Sequence, residues 1–132
     1  MSVFIEDGLY SYLKAQSTIN SIVGDRIYPS ILPQDPVLPA ITFHVVSSEP
    51  VSRQDGKPVL EKARIQIDAY ASQVRNAKLL AKAIRDSLEA YVGLMGTISV
   101  QAVFVLDYGM TDFEDVPSEF RVISEYEIWY AT

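Results

Sequence analysis

A change of hydrophobic period within residues 58–92 constrains the fold of this chain more than any other feature. Before residue 72, small and branched apolar residues alternate with polar ones, and this period of two predicts a strand with one buried face. The apolar positions of that strand are Ala63, Ile65, Ile67 and Ala69. From residue 72 onward the spacing becomes three and four, which predicts an amphipathic helix. Its apolar stripe consists of Val74, Ala77, Ala81, Ile84, Leu88 and Tyr91.

The ends of this helix are predicted from local chemistry. Ser72 is the expected N-cap, because its hydroxyl can accept a hydrogen bond from an amide of the first turn. Gly93 is the expected stop, because glycine adopts a left-handed conformation without a Cβ clash. Since the strand and the helix each have one apolar face, we expect those faces to cover each other.

The rest of the chain predicts a single α+β domain over residues 1–132. We expect a mostly antiparallel or mixed sheet of about four to five strands, with two main helices packed on one face. Further helices are predicted at residues 2–16 and 17–23, and further strands at residues 40–47, 97–106 and 119–130. Residues 31–39, 48–57 and 108–118 are predicted loops. The strand at residues 97–106 is expected to direct one set of side chains to a single face, namely Ile98, Val100, Ala102 and Phe104.

Composition excludes several classes of function. The net charge of −6 and the scattered bases argue against a stable grip on nucleic acid, which needs clustered Lys and Arg. No apolar run approaches the roughly 20 residues of a membrane span, and the N-terminus does not resemble a signal peptide. Because the chain has no cysteine, disulfides and thiolate metal sites are excluded, which fits a reducing cytoplasm.

No motif in the sequence predicts a catalytic or cofactor site. His44 is the only histidine, and a triad or a His-rich metal site would need partners that the sequence does not offer. The acidic stretch that contains Asp112 and Asp115 lacks the spacing of a calcium loop. Glu125 and Glu127 share a strand face, where solvated charge is the simpler interpretation. We therefore expect no enzyme activity and no cofactor.

An ordered set of segments resembles one known protein family. The segments are Val23-Gly24-Asp25-Arg26-Ile27-Tyr28-Pro29, Leu38-Pro39-Ala40-Ile41-Thr42-Phe43, Glu49-Pro50-Val51, Ala63-Arg64-Ile65-Gln66-Ile67-Asp68-Ala69-Tyr70-Ala71, and the closing strand from Arg121-Val122 to Trp129-Tyr130. Together they resemble the small tail-completion, or tail-terminator, proteins of long-tailed bacteriophages and prophages. The alanine after Ile67-Asp68 is a minor departure from the family pattern.

The resemblance implies a structural role in the virion, at the junction of tail and head. It implies a ring of subunits, commonly a hexamer, that caps the tail tube and contacts the head-tail connector protein while DNA passes through its lumen. The implied partners are other copies of the chain, the tail tube protein and the connector, with assembly in the host cytoplasm. No catalytic residues are implied.

A ring needs two different patches on each subunit that meet head to tail. One hypothesis places the first patch in the hairpin around residues 47–57 and the second in the acidic loop around Phe113, which alternatively faces the connector. Aromatic residues that the period does not bury are also candidates, because such residues are enriched at interfaces. The complete set of predicted interface residues is Val51, Arg53, Gln54, Asp55, Tyr108, Phe113, Glu114 and Trp129.

Two other functions remain open at this point. A small non-catalytic binding module of a prophage or bacterium, such as a toxin-system partner, would remain monomeric or dimeric and bind one host protein. A small hydrolase would need several convergent titratable groups around a pocket.

Overall fold

The computed structural model describes residues 4–52, 58–114 and 119–131. This part of the chain forms three helices and six strands. The helices are α1 (Ile5–Ala15), α2 (Ser17–Val23) and α3 (Val74–Leu88). The strands are β1 (Ile27–Pro29), β2 (Ala40–Ser52), β3 (Pro58–Ala71), β4 (Gly93–Met95), β5 (Ile98–Glu114) and β6 (Glu119–Ala131).

The strands form one curled sheet in the order β1-β2-β3-β6-β5-β4. β1 is parallel to β2, and every other neighbouring pair is antiparallel. The predicted α+β class is confirmed. The predicted number of four to five strands was too low, because β1 and β4 have only three residues each and show no recognisable alternation.

The helices cover one face of this sheet and bury a single hydrophobic core. α3 contributes Leu80, Ile84 and Leu88, and α1 contributes Leu9 and Leu13, all at most 2% exposed. α3 packs against β3, whose odd-numbered apolar residues belong to the same core, as the change of period predicts, whereas α1 packs beside β4 and α2. Burying each such side chain contributes roughly 1.5–3 kcal/mol gross. No helix in the described ranges is long and apolar enough to cross a membrane.

Both predicted ends of α3 were wrong. The N-cap is Gln73 rather than Ser72, and no side chain caps the first turn. The helix ends at Leu88, because Ala90 adopts the left-handed conformation (φ 59°) that was expected of Gly93. Gly93 instead begins β4. Val74, at the first turn, is 39% exposed and not part of the buried stripe.

Strand β5 is longer and less regular than predicted. It continues to Glu114, so residues 108–114 of the predicted acidic loop are strand. Its pairing with β6 shifts at three places, the first between Val100 and Ala102. The extra residue there reverses the facing that simple alternation predicts, so Val103 is buried while Phe104 is 52% exposed.

The hairpin of β2 and β3 also extends further than predicted. β2 continues to Ser52, so residues 48–52 of the predicted loop are strand, and β3 begins at Pro58. Residues 53–57 of the predicted loop lie outside the described residues. From Ser47 to Pro50 the side chains of β2 are exposed. This end of the hairpin therefore has no helix packed on it and is a candidate for contact with another molecule.

Gly8 permits a close approach between α1 and β4. A Cβ atom at this position would lie 2.5 Å from the carbonyl oxygen of Met95 and 3.3 Å from Ile98 Cδ1. Alanine is the better helix former by about 1 kcal/mol, but a backbone oxygen cannot move aside easily. We predict that Gly8→Ala lowers the free energy of unfolding by about 1–3 kcal/mol, as overpacking usually does, in urea titrations. Ser11→Ala, on the exposed side of the same helix, is the control and should be neutral or slightly stabilising.

Candidate subunit interface

The face of the sheet opposite the helices is polar and is formed by alternate residues of the central strands. On β3 these residues are Lys62, Arg64, Gln66 and Asp68, and on β6 they are Arg121, Glu125, Glu127 and Trp129, together with the apolar Ile123 opposite Asp68. They point away from the core because the residues between them are the buried ones. We call this surface the helix-free face.

Ion pairs and the side chain of Trp129 cover the part of this face near the β2–β3 hairpin. Arg64 donates two hydrogen bonds to the Glu125 carboxylate, and Lys62 Nζ lies 2.7 Å from Glu49 Oε1. Trp129 Nε1 donates to Glu127 Oε1 at 2.7 Å, and Lys62 Nζ lies 5.5 Å from the centre of the indole. Exposed ion pairs contribute at most about 1 kcal/mol each, so these charges serve to present a defined surface more than to stabilise the fold.

A second polar cluster surrounds Asp68, whose side chain is only 6% exposed. Its carboxylate accepts a hydrogen bond from Gln66 Nε2 at 3.0 Å, and Arg121 Nη1 lies 3.8 Å away. Tyr70 and Thr42, both buried, share a 3.3 Å hydrogen bond beside it. Burial raises the pKa of Asp68, and the hydrogen bond from Gln66 and the charges of Arg121 and His44 only partly offset that effect.

The raised pKa gives a testable pH dependence. The folded protein binds a proton at Asp68 more tightly than the unfolded chain does, so this residue's contribution to stability increases as the pH falls from neutral. We predict that Asp68→Asn is more stable than the wild type at pH 7, and that the gap closes as the pH approaches the ordinary value of 3.8. Urea unfolding of both proteins from pH 7 to pH 4 measures this. A gap that widens toward low pH would mean that Arg121 stabilises the carboxylate more than burial penalises it.

The first predicted patch lies at the end of the β2–β3 hairpin. Val51 is half-buried and pairs with Leu60 near that end. Arg53, Gln54 and Asp55 lie outside the described residues, and their role stays a prediction.

The second predicted patch lies at the end of the β5–β6 hairpin. Phe113 is 45% exposed, and its ring centre is 4.4 Å from that of Phe120 on the paired strand. Glu114 is the last residue of β5, and its side chain lies outside the described part. Tyr108 is half-buried against α3, where the Arg85 guanidinium lies 4.7 Å from its ring centre.

The two hairpin ends lie at opposite ends of the sheet. Val51 pairs with Leu60, whereas Phe113 pairs with Phe120, which pairs with Ala71 at the other end of β3. At about 3.3 Å per residue, Leu60 and Ala71 are separated by roughly 35 Å. The predicted residues that the structure describes therefore do not form one site. Val51 and Phe113 lie at opposite ends of the sheet, and Trp129 lies on the helix-free face.

The sequence did not predict the cluster around Asp68. It depends on the register that places Asp68 of β3 beside residues 121–123 of β6, more than 50 positions away in the chain, and no local pattern contains that information. A polar residue in the middle of a strand was the only available signal. Among the described residues, no three His, Asp or Glu side chains are grouped so that they could hold a metal ion.

Comparison with known proteins gives a consistent result. The model of the family described as "Tail completion protein gp17" matches residues 7–131 of the chain. A chain of the virion of a native gene transfer agent (GTA) particle has a similar fold, with a TM-score of 0.72, 14% sequence identity, and coverage of 94% of this chain and 92% of that one. A second solved chain, whose printed name states no function, has a TM-score of 0.56 at 10% identity, with 96% of each chain covered. No curated protein sequence matches.

Proposed function

Because the chain belongs to the tail completion protein gp17 family, and is thus a structural protein of phage-type tails, we propose that it completes the tail by closing the tube with a ring of subunits. The ring, which we take to be a hexamer, caps the finished tube and presents its outer surface to the head-tail connector protein. DNA passes through the lumen. The family match over 125 residues of the 132 (7–131) is the observation that carries this proposal.

The positions of the two hairpins support a division of contacts between the neighbouring subunit and the connector. The β2–β3 hairpin around Val51 contacts the neighbouring subunit. The β5–β6 hairpin around Phe113, at the opposite end of the sheet, is available to the connector. Because the two hairpin ends lie far apart, one can contact a neighbouring subunit while the other contacts the connector.

The charge of the subunit suits passage of DNA better than its retention. The net charge is −6, and the bases on the helix-free face are paired with carboxylates, as Arg64 is with Glu125 and Lys62 with Glu49. DNA phosphates therefore find few unpaired basic side chains on this face. Binding of DNA that depends on counterion release is weak as a result.

Electron microscopy of particles made without this protein tests the proposal. We expect tails of irregular length, or tails without heads, and restoration of complete particles when the protein is supplied from a plasmid. Particles of normal tail length with heads attached, in the absence of the protein, would contradict the proposal.

A further inference from the structure

Both outer edges of the sheet contain long stretches of strand without a partner. β1 pairs only with Ile41 to Phe43 of β2, and β4 pairs only with Ile98 to Val100 of β5. In the described part of the chain, no other strand pairs with the outer side of residues 44–52 of β2 or residues 101–111 of β5. Such edges present unpaired N–H and C=O groups, which are a template for another strand.

We propose that β5 of one subunit pairs with β2 of the next subunit, antiparallel, so that the sheets of the ring join into one continuous sheet. This proposal rests on the proposed function, because it assumes that copies of the chain assemble in a ring. It adds edge-to-edge strand pairing to the contact that the β2–β3 hairpin makes with the neighbouring subunit.

The direction of the strands makes this pairing possible without any rearrangement. β2, β3, β6 and β5 are neighbours in that order and alternate in direction, so β5 runs opposite to β2. In a ring of copies in the same orientation, with the strands running along the axis as in a barrel, adjacent β5 and β2 edges are therefore antiparallel. Antiparallel pairing is the slightly more stable arrangement.

The regular parts of the two edges lie at the same level of the sheet. Ser47 pairs with Arg64, Arg64 with Glu127, and Glu127 with Phe104, so Ser47 and Phe104 belong to one row across the four strands. One pairing shift of each edge lies on the same side of this row, between Val45 and Ser47 in β2 and beyond Val105 in β5, so the regular stretches run from this row toward Glu49 in β2 and Ala102 in β5. Pro50, which has no amide hydrogen, limits the usable edge of β2 to the residues before it.

The helical surfaces beside the two edges carry opposite charge. A groove of about 700 Å³ beside β2 is lined by Glu6 and Asp7 of α1 and by no lysine or arginine. A groove of about 600 Å³ beside β5 is lined by Arg85 and Glu89 of α3, which pair with each other at 3.5 Å. Further along that side of α3 are Arg75 and Lys78, and neither forms an ion pair within the described residues. Head-to-tail contact brings the acidic side of one subunit to the basic side of the next, which is favourable and fixes the orientation.

Exposed apolar side chains also lie along both edges. Val46, the extra residue in β2, is 48% exposed, and Phe104 and Leu106 of β5 are 52% and 43% exposed. Such side chains lose contact with water when a strand is added, so they favour pairing with a second copy.

Disulfide cross-linking in assembled tails tests the proposal directly, because the chain has no cysteine of its own. The two variants are Phe104→Cys with Ser47→Cys, and Phe104→Cys with Glu49→Cys, which allows for a shift of two residues in register. Directly opposed residues of antiparallel strands lie close enough for a disulfide. After mild oxidation, we expect one double variant to give a ladder of covalent oligomers on a non-reducing gel. Each single variant should remain a monomer, since the two edges differ.

The control for oxidation is Glu49→Cys with Lys62→Cys, because these residues face each other within one subunit and should give a cross-linked monomer. Complete tails in which neither double variant forms a ladder would overturn the edge pairing. Dimers from a single-cysteine variant would overturn it too, because they require like edges to meet. The proposed function fails on a different result, namely normal particles without the protein.

Discussion

Ile84→Asp is expected to unfold the protein. Ile84 is 2% exposed and lies at the centre of α3, against the sheet. Removing a buried isoleucine costs about 2–5 kcal/mol even when alanine replaces it. A carboxylate at this position adds the cost of a buried charge without a partner. Small domains have a net stability of about 5–15 kcal/mol, so these two costs together remove most or all of the free energy of unfolding.

Circular dichroism during heating measures this effect, with Leu79→Asp as the matched control. Leu79 lies on the same helix but is 46% exposed, so its replacement should change stability by about 0.5 kcal/mol or less. We expect no cooperative transition for the Ile84 variant and a nearly unchanged melting temperature for the Leu79 variant. A soluble Ile84 variant with the melting temperature of the wild type would show that the seam between α3 and the sheet is not the core.

Replacing residues 52–55 with a Gly-Ser turn is expected to abolish tail completion while the subunit stays folded. Among the described residues, the buried core reaches no further into this hairpin than Ala63, so the loss of stability should be small. The contact of the hairpin with the neighbouring subunit would be lost, and with it the ring. We expect a fall in complete particles of at least about tenfold, because a loss of about 1.4 kcal/mol already weakens one contact tenfold and a ring requires every contact.

The measurement combines particle counts by electron microscopy with light scattering of the purified variant. A matched control is a Gly-Ser replacement of Gln34 and Asp35, which are exposed in another loop, where Asp35 already has a positive φ of 52°. That variant should complete tails normally. If the hairpin variant also assembles normally, the assignment of this hairpin to the subunit contact is wrong.

The sequence alone indicates which side chains of a strand are buried where the alternation of apolar and polar residues is uninterrupted. In β6, Val122, Tyr126 and Ile128 are buried, as a period of two predicts, because the pairing of β6 with β3 has no shift. In β5, the same reasoning predicted Phe104 to be on one face with Val100. Extra residues in β5 change the face on which the following side chains lie, and nothing in the amino-acid composition marks the positions of these extra residues.

The candidate interface was predictable only in part, for a related reason. Residues such as Val51 and Phe113 could be assigned to hairpins from the turn and strand patterns, but their placement at opposite ends of the sheet depends on the strand order. The free edges of β2 and β5 depend on it as well, because a strand is an edge only in relation to all the others. Long-range pairing is not encoded in any local window of sequence, so these features required the structure.

The central position of β6 has a consequence for how the protein is made. The last of the described strands is inserted between β3 and β5, so Leu60 cannot pair with Ala131 until β6 has been synthesised. Contacts over such separations form slowly. Because β6 joins β3 to β5, the edges of β2 and β5 belong to one sheet only once β6 is in place.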